Sequence, residues 1–266
     1  MDPSMDLSLI ESYCHVSLSG AANPVYAIPA ADLLMPGHMK RTLALSGELL
    51  RATSQELPAS FIGLSIYNLC AAVQVVLAQH NRLLDLSLSN LTFQIELSGK
   101  YPLSHFRIHE IRWIDVPADD ERREAFVQQE LTAFYKTTVL PVIHTAAKSA
   151  GVMPSLLWNQ YGARTCSLLD YVRDNVPSSS VQDRFNRDYK VQTELDGPEV
   201  FDRRKNPFSH NPRYVDSPYY PDKKVIIRSS CCMYYCQVDG VYCYTCPKLT
   251  AEQRDAMRDK LQNKAT

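Results

Sequence analysis

Residues 228–247 read Arg228-Ser-Ser-Cys231-Cys232-Met-Tyr-Tyr-Cys236-Gln-Val-Asp-Gly-Val-Tyr-Cys243-Tyr-Thr-Cys246-Pro247. Four of these five cysteines follow the spacing Cys-Cys-x10-Cys-x2-Cys, which makes Cys231, Cys232, Cys243 and Cys246 one candidate metal site. Four thiolates complete the ligand set of a 2Fe-2S cluster or of a structural zinc ion. The stretch therefore predicts a cysteine-rich metal segment near the C-terminus, appended to whatever the preceding residues build.

The spacing ranks the two metals. Zinc sites space each ligand pair by two to four residues so that the backbone can turn both sulfurs onto one ion. Cys243-Tyr-Thr-Cys246 obeys that rule. Cys231-Cys232 does not, because adjacent α-carbons lie about 3.8 Å apart and side chains of an extended pair point to opposite sides. A two-iron cluster distributes its four terminal positions over two metal atoms and suits vicinal thiolates better. Zinc stays open as the alternative cofactor. Cys236, inside the spacer, is either a substitute ligand or a buried free thiol, and the second reading is preferred because free cysteine behaves as a small hydrophobe; Cys14, Cys70 and Cys166 read the same way, and neither Cys70 nor Cys166 has a partner at ligand spacing.

The string Arg-Ser-Ser-Cys-Cys-Met-Tyr-Tyr, followed by Asp239-Gly240 and Tyr242-Cys-Tyr-Thr-Cys-Pro247, resembles the end of the FhuF-type ferric-siderophore reductases. Pro141-Val-Ile-His and Leu156-Leu157-Trp158-Asn159 resemble that family's helical segment ahead of the cluster, and the chain length is similar. The resemblance implies a 2Fe-2S cluster on Cys231, Cys232, Cys243 and Cys246. It also implies one-electron reduction of a ferric hydroxamate siderophore in the cytoplasm, with an external electron donor such as a ferredoxin or a flavin reductase. Trp158, Tyr242, Tyr244 and Lys248 are candidate substrate contacts, the last three because they flank ligating cysteines and Trp158 as an aromatic wall. A zinc-stabilised binding protein and an iron-sulfur sensor or electron carrier are the competing readings.

Composition fits this class. A chain of 266 residues can bury a large core as one large domain or two small ones. The formal net charge of −1 gives no reason to expect a nucleic-acid partner. Eight cysteines, five of them bunched, read as metal ligands in a reducing compartment rather than a disulfide scaffold. The acidic start Met-Asp-Pro-Ser-Met-Asp lacks the form of a secretory signal. The most apolar run, Phe61 to Leu77, is interrupted by Ser65, Asn68 and Gln74, so no stable membrane insertion is expected.

The remaining pattern predicts an α+β fold: a predominantly helical body over 1–224 with a small antiparallel sheet, then the iron-sulfur segment over 225–266 with a closing helix. The first forty residues read as irregular. Helices are expected from about Lys40 to Glu56 and from about Ser60 to His80, the second on its stripe of Ile62, Ile66, Leu69, Val73 and Val76. A hairpin follows, with Phe93, Ile95 and Leu97 alternating against Phe106 and Ile108 across a turn containing Gly99 and Pro102, and a bulge or strand end at Ile111. Asp119 or Asp120 caps a helix carrying Val127, Leu131, Phe134 and Thr138, which Pro141 should kink or end. Another helix is expected from Pro154 to about Asp174, before Pro177 and its serines break the pattern. Thr250 and Gln253 form a capping box for the last helix. Residues 196–224, with five prolines, read as an ordered irregular loop held by Phe201, Phe208, Tyr214, Tyr219 and Tyr220. Their excess of basic residues, continued by Arg228, could serve an acidic electron donor or a negatively charged cluster.

Overall fold

Helix α3 organises the molecule. In the computed structural model, which describes residues 6–220 and 222–265, α3 runs Glu56–His80 and is buried almost all round. The expected stripe faces inward, but Ala59, Ser60, Cys70, Ala72, Val75 and Leu77 on the other sides are buried too. A helix that is apolar all round belongs in a core. Small residues let neighbours approach: a Cβ on Gly63 would stand 2.9 Å from Leu157 Cβ. Contrary to the reading of Phe61–Leu77, α3 as a whole is long and apolar enough to cross a membrane, though 83% of its most apolar window is covered by the rest of this fold. The acidic residues 1–5, where a signal was sought, lie outside the described residues.

Around α3 the chain forms an α+β arrangement that is mostly helical. Residues 6–40, expected to be irregular, are not. They form α1 (Ser8–Cys14), the short strands β1 (Val16–Ser17) and β2 (Pro24–Pro29), and the start of α2 (Pro36–Leu49). These elements were hidden because their partners are distant: β1 pairs in parallel with Phe106 and Arg107, and β2 pairs with 92–96. Helix α2 begins and ends earlier than the expected Lys40 to Glu56; Pro36 suits its first turn, and Arg51 beyond it is left-handed.

After β3 (Arg82–Leu84) comes the expected hairpin, β4 (Leu91–Ser98) and β5 (Tyr101–Ile108), in register Phe93↔Phe106. The sheet order is β1-β5-β4-β2. Gly99, at φ +60, makes the turn, whereas Pro102 lies within β5 opposite Leu97. The strand ends at Ile108; β6 (Trp113–Asp115) pairs instead with β3.

Asp119 caps α4 (Asp120–Phe134) by accepting from Arg122 N at 3.0 Å. Pro141 does not end the helical run. A π-helical turn over Tyr135–Val139 leads into α5 (Leu140–Ala150), which Gly151 terminates at φ +68. Such a turn absorbs the amide that proline lacks. The next expected helix is two, α6 (Pro154–Trp158) and α7 (Tyr161–Asn175), broken at Asn159–Gln160. The pattern then resumes in α8 (Ser179–Glu194), which the serines had concealed. Its inward face reads Val181, Phe185, Asp188 and Gln192, so two polar residues interrupt the stripe. Asp188 is fully buried and forms a two-pronged ion pair with Arg123 of α4 at 2.6 and 2.9 Å.

The proline-rich stretch is also more regular than expected, with α9 (Gly197–Phe201) and a ladder of β7 (Tyr214–Asp216) and β8 (Lys224–Ile226). Phe201 and Phe208 are fully buried against Tyr135, while Tyr214, Tyr219 and Tyr220 are exposed. Helix α10 (Ala251–Ala265) closes the chain.

Candidate metal centre

The cysteine loop leaves β8 and is fastened to the body from three sides. Arg228 N donates to Thr245 O at 2.9 Å, closing the loop on itself. The Ser60 hydroxyl at the start of α3 donates to Cys232 O at 2.8 Å, and Thr53 donates to Cys236 O from both its amide and its hydroxyl, at 2.7 and 2.8 Å. Ser229 Oγ accepts from Ala163 N of α7 at 3.1 Å and donates to Asn159 O at 2.6 Å. From below, Arg254 of α10 donates to Tyr244 O at 3.1 Å, Cys246 O at 2.9 Å and Leu249 O at 3.3 Å. The expected capping box starts α10: Gln253 N donates to Thr250 Oγ1 at 3.2 Å, and Thr250 N donates to Gln253 Oε1 at 3.0 Å.

Met233 and Asp239 have left-handed backbones, at φ 61 and 62, a conformation uncommon outside glycine. Gly240 sits so tightly inside the loop that a Cβ there would meet the carbonyl oxygens of Tyr234, Gln237 and Tyr235 at 2.7–2.8 Å.

These constraints sort the four sulfurs into two pairs. Cys246 Sγ lies 3.7 Å from Cys231 Sγ, both residues being buried. Cys232 pairs with Cys243, and both are half-buried. The adjacent side chains of Cys231 and Cys232 thus reach different partners, as an extended dipeptide requires. Two metal–sulfur bonds of about 2.3 Å at a tetrahedral angle separate their sulfurs by about 3.8 Å, so the Cys231–Cys246 spacing fits two ligands of one metal atom. Among the described residues, no three His, Cys, Asp or Glu side chains converge as a ligand group for one ion.

The two pairs differ electrically. A hydrogen bond from Cys243 holds the Cys232 thiol well below its ordinary range; Arg228, the Tyr234 amide and Arg164 act in the same direction against burial. The proton stays on Cys243, whose pKa rises because of that same bond. Burial raises Cys231, and the contact with Cys246 adds to the effect. Desolvation disfavours a thiolate and positive neighbours favour it, so the arginines mark the Cys232–Cys243 side as the one prepared for negative charge.

The other cysteines are apart from this group. Cys14, Cys70 and Cys166 are buried as expected, and burial pushes Cys14 up to about 12. Cys236 is half-buried rather than buried and contributes its backbone carbonyl to Thr53.

Of the candidate substrate contacts, Trp158 is 1% exposed and packs edge-on against Tyr161 and Phe201 in the core. Tyr244 is buried beside the cysteines and donates its hydroxyl to Asp216 O at 2.8 Å. Tyr242 and Lys248 do reach the surface: the Tyr242 ring lies 4.6 Å from that of Tyr235, and Lys248 Nζ donates to Tyr235 Oη at 3.1 Å.

Two cavities flank the loop. One, of about 350 Å³, touches Cys231, Met233, Pro247 and Lys248. The other, of about 460 Å³, lies between α7 and β8 and is lined by Tyr67, Arg164, Lys224, Arg228, Ser230 and Thr245 among others. Arg164 was not legible as a site residue, because it sits midway along a stretch whose pattern predicts only a helix. No protein-family model matches the chain, and no curated protein aligns with it significantly.

Proposed function

We propose that the chain is a cytoplasmic ferric-siderophore reductase, with a 2Fe-2S cluster held by Cys231, Cys246, Cys232 and Cys243. The observation that carries this reading is the division of the four sulfurs into two pairs. Two thiolates on each of two irons is the terminal ligand arrangement of such a cluster, whereas a single zinc needs all four sulfurs around one point. The bound cluster would supply a one-electron couple, and one electron converts ferric iron, held tightly by hydroxamate oxygens, into weakly held ferrous iron.

The chain's own residues prepare the site. Arg228 and Arg164 offset negative charge on the Cys232–Cys243 side, which is also the less buried pair. Ser60, Thr53 and Arg254 fix the backbone carbonyls of the loop, so the sulfurs need little rearrangement on loading. Cys246, 1% exposed, and the buried Tyr244 keep water from the inner pair. Lys223, Lys224 and Arg213 add positive charge on the β7–β8 side, suited to an acidic donor such as a ferredoxin or to a flavin reductase.

The test is purification without oxygen, a visible spectrum with iron and sulfide assays, and addition of a ferric hydroxamate to the dithionite-reduced protein with a ferrous trap present. Reoxidation of the cluster with stoichiometric trapped iron is expected. A coloured protein that ignores the chelate is a sensor or carrier instead, and a colourless protein with one zinc removes both iron-sulfur readings.

A further inference from the structure

The anchors of the cysteine loop are hydrogen bonds from the rest of the chain to its backbone. Ser60 Oγ reaches Cys232 O at 2.8 Å, Thr53 reaches Cys236 O at 2.7 and 2.8 Å, and Arg254 reaches Tyr244 O and Cys246 O at 3.1 and 2.9 Å. Arg228 N, donating to Thr245 O at 2.9 Å, ties the two arms of the loop together beside the sulfurs. None of these bonds uses a sulfur, so the four thiols keep their pairing when a metal leaves.

Pairs of this kind can also close as disulfides. Cys231 Sγ and Cys246 Sγ stand 3.7 Å apart, and rotation of the two side chains brings them to the roughly 2.05 Å of a covalent bond. Cys232 and Cys243 already lie within hydrogen-bond reach of each other. Other pairings are disfavoured. The α-carbons of Cys231 and Cys232 are about 3.8 Å apart, below the roughly 4.4–6.8 Å that a disulfide spans, and the Cys236 thiol shares a hydrogen bond with the Tyr235 hydroxyl instead. Burial sets an order: Cys232 and Cys243 are half-buried, whereas Cys231 and Cys246 are 7% and 1% exposed, so a dissolved oxidant meets the Cys232–Cys243 pair first.

We propose that the centre is also a redox switch: in the metal-free chain, peroxide joins Cys232 to Cys243 and then Cys231 to Cys246, and the two disulfides bar metal until a thiol reductant reopens them. The proposal rests on the reading of these four cysteines as one metal centre, and its purpose rests on the reductase reading. In each pair one thiol takes an oxygen atom from hydrogen peroxide, giving a sulfenic acid and one water. The partner thiol then attacks that sulfur. The S–S bond forms, the S–O bond breaks and a second water leaves, so two electrons and two protons pass from each pair to one peroxide. Thiolates are the groups that hold iron or zinc, and a disulfide offers none. Ferrous iron reduces peroxide to hydroxide and hydroxyl radical while returning to the ferric state. A protein that releases ferrous iron, and closes when peroxide is present, stops feeding that reaction.

The experiment maps the links and the metal uptake separately. Full-length protein is purified anaerobically, stripped with a chelator and treated with about one and then about two equivalents of hydrogen peroxide. Remaining thiols are alkylated in denaturant, and chymotrypsin cuts after Tyr235, Tyr242 and Tyr244, which places Cys236, Cys243 and Cys246 on different fragments for mass spectrometry. The first equivalent should join Cys243 to the Cys231-Cys232 fragment and leave Cys246 alkylated; the second should join Cys246 as well. Cys231→Ser should still link Cys232 to Cys243, and Cys232→Ser should link Cys231 to Cys246. Uptake of zinc, and of iron with sulfide, should fall at least about tenfold in the oxidised protein and return with dithiothreitol. Links through Cys236, a link to Cys243 in Cys232→Ser, or an oxidised protein that loads metal as the reduced one does overturns the proposal. Should the serine variants fail to fold, the fragment joined by the first equivalent in the unaltered protein decides. A protein that loads a cluster and releases ferrous iron, yet forms neither link, keeps the reductase and removes the switch. Both links with metal uptake lost, in a protein that releases no ferrous iron from a hydroxamate, keep the switch and remove the reductase.

Discussion

Ser60, in the first turns of the central helix, donates its hydroxyl to the backbone carbonyl of Cys232 at 2.8 Å and accepts from Gln160 Nε2 at 2.9 Å. One buried hydroxyl therefore ties the cysteine loop to α3 and to the break between α6 and α7. Ser60→Ala should leave the fold intact at a cost of about 1–3 kcal/mol. Loss of such a supporting partner typically lowers metal affinity by about 10- to 100-fold. Competition with a chelator measures the affinity, and a wild-type value would remove Ser60 from the site.

Single Cys→Ser variants at Cys231, Cys232, Cys243 and Cys246 should each lose the visible spectrum and most bound metal. Cys236→Ser should keep both, because what Cys236 gives the loop is its carbonyl, accepting from Thr53 N at 2.7 Å and Thr53 Oγ1 at 2.8 Å, and serine retains that group. If Cys236→Ser lost its metal while one of the other four did not, the ligand assignment would be wrong.

Arg254 donates to three loop carbonyls, those of Tyr244, Cys246 and Leu249. A lysine carries one ammonium where the guanidinium reaches all three with a fixed fork. Arg254→Lys should accordingly loosen the loop nearly as much as Arg254→Leu, seen as faster proteolysis between Cys232 and Lys248 in the metal-free protein. Equal cleavage rates in the variants and wild type would show that α10 does not hold the loop.

What the residues alone revealed follows from the range of the interactions. The capping box, the α3 stripe and the hairpin are local patterns, and each formed. Helix α8 escaped because its inward positions Asp188 and Gln192 are polar, and only the distant Arg123 and Tyr135 explain their burial. The strands β1 and β2 escaped because a two-residue strand and an edge strand gain their hydrogen bonds from β5 and β4, some 60 to 90 residues away. At the metal centre the cysteine spacing was legible, and so was the opposite orientation of Cys231 and Cys232. Which sulfur pairs with which was not, because it depends on the left-handed turn at Met233 and on contacts from Ser60, Thr53 and Arg254. Trp158 looked like a pocket wall only because its neighbours Tyr161 and Phe201 could not be seen closing over it.

The Arg123–Asp188 pair should behave as a buried ion pair. Its side chains are 5% and 0% exposed, and Arg123 Nε also donates to Asn81 Oδ1 at 2.9 Å. Removing one partner strands the other charge, so Arg123→Met or Asp188→Leu should each destabilise by about 3–5 kcal/mol, while the double variant should recover most of that loss. Urea unfolding of all four proteins gives the coupling. A double variant as unstable as the sum of the singles would mean the two charges do not compensate each other.

Stability should also fall with acid in a window set by histidines. His15 and His105 lie with ring centroids 5.0 Å apart at the β1–β5 edge; burial lowers both, the His15 charge lowers His105 further, and Glu96 at 3.6 Å only partly opposes this. His210 is lowered by burial and then by Arg213. A histidine whose folded pKa lies below its unfolded value near 6.5 takes up its proton more readily in the unfolded chain, so folding stability drops as pH falls below that value. Above about pH 7.5 all three are neutral in both states and contribute no slope. The carboxylates with lowered values, Asp6, Glu56 and Glu252, act in a lower window, below about pH 4.5. The lowered Cys232 thiol also takes up its proton more readily in the unfolded chain over this range, so the comparison is made with Cys232→Ser in both proteins. Urea midpoints between about pH 7.5 and 5.5 should then decline, and decline less when His15→Gln and His105→Gln are added, where His210 is the remaining histidine with a lowered pKa. An equal decline would show that the paired histidines are not the source.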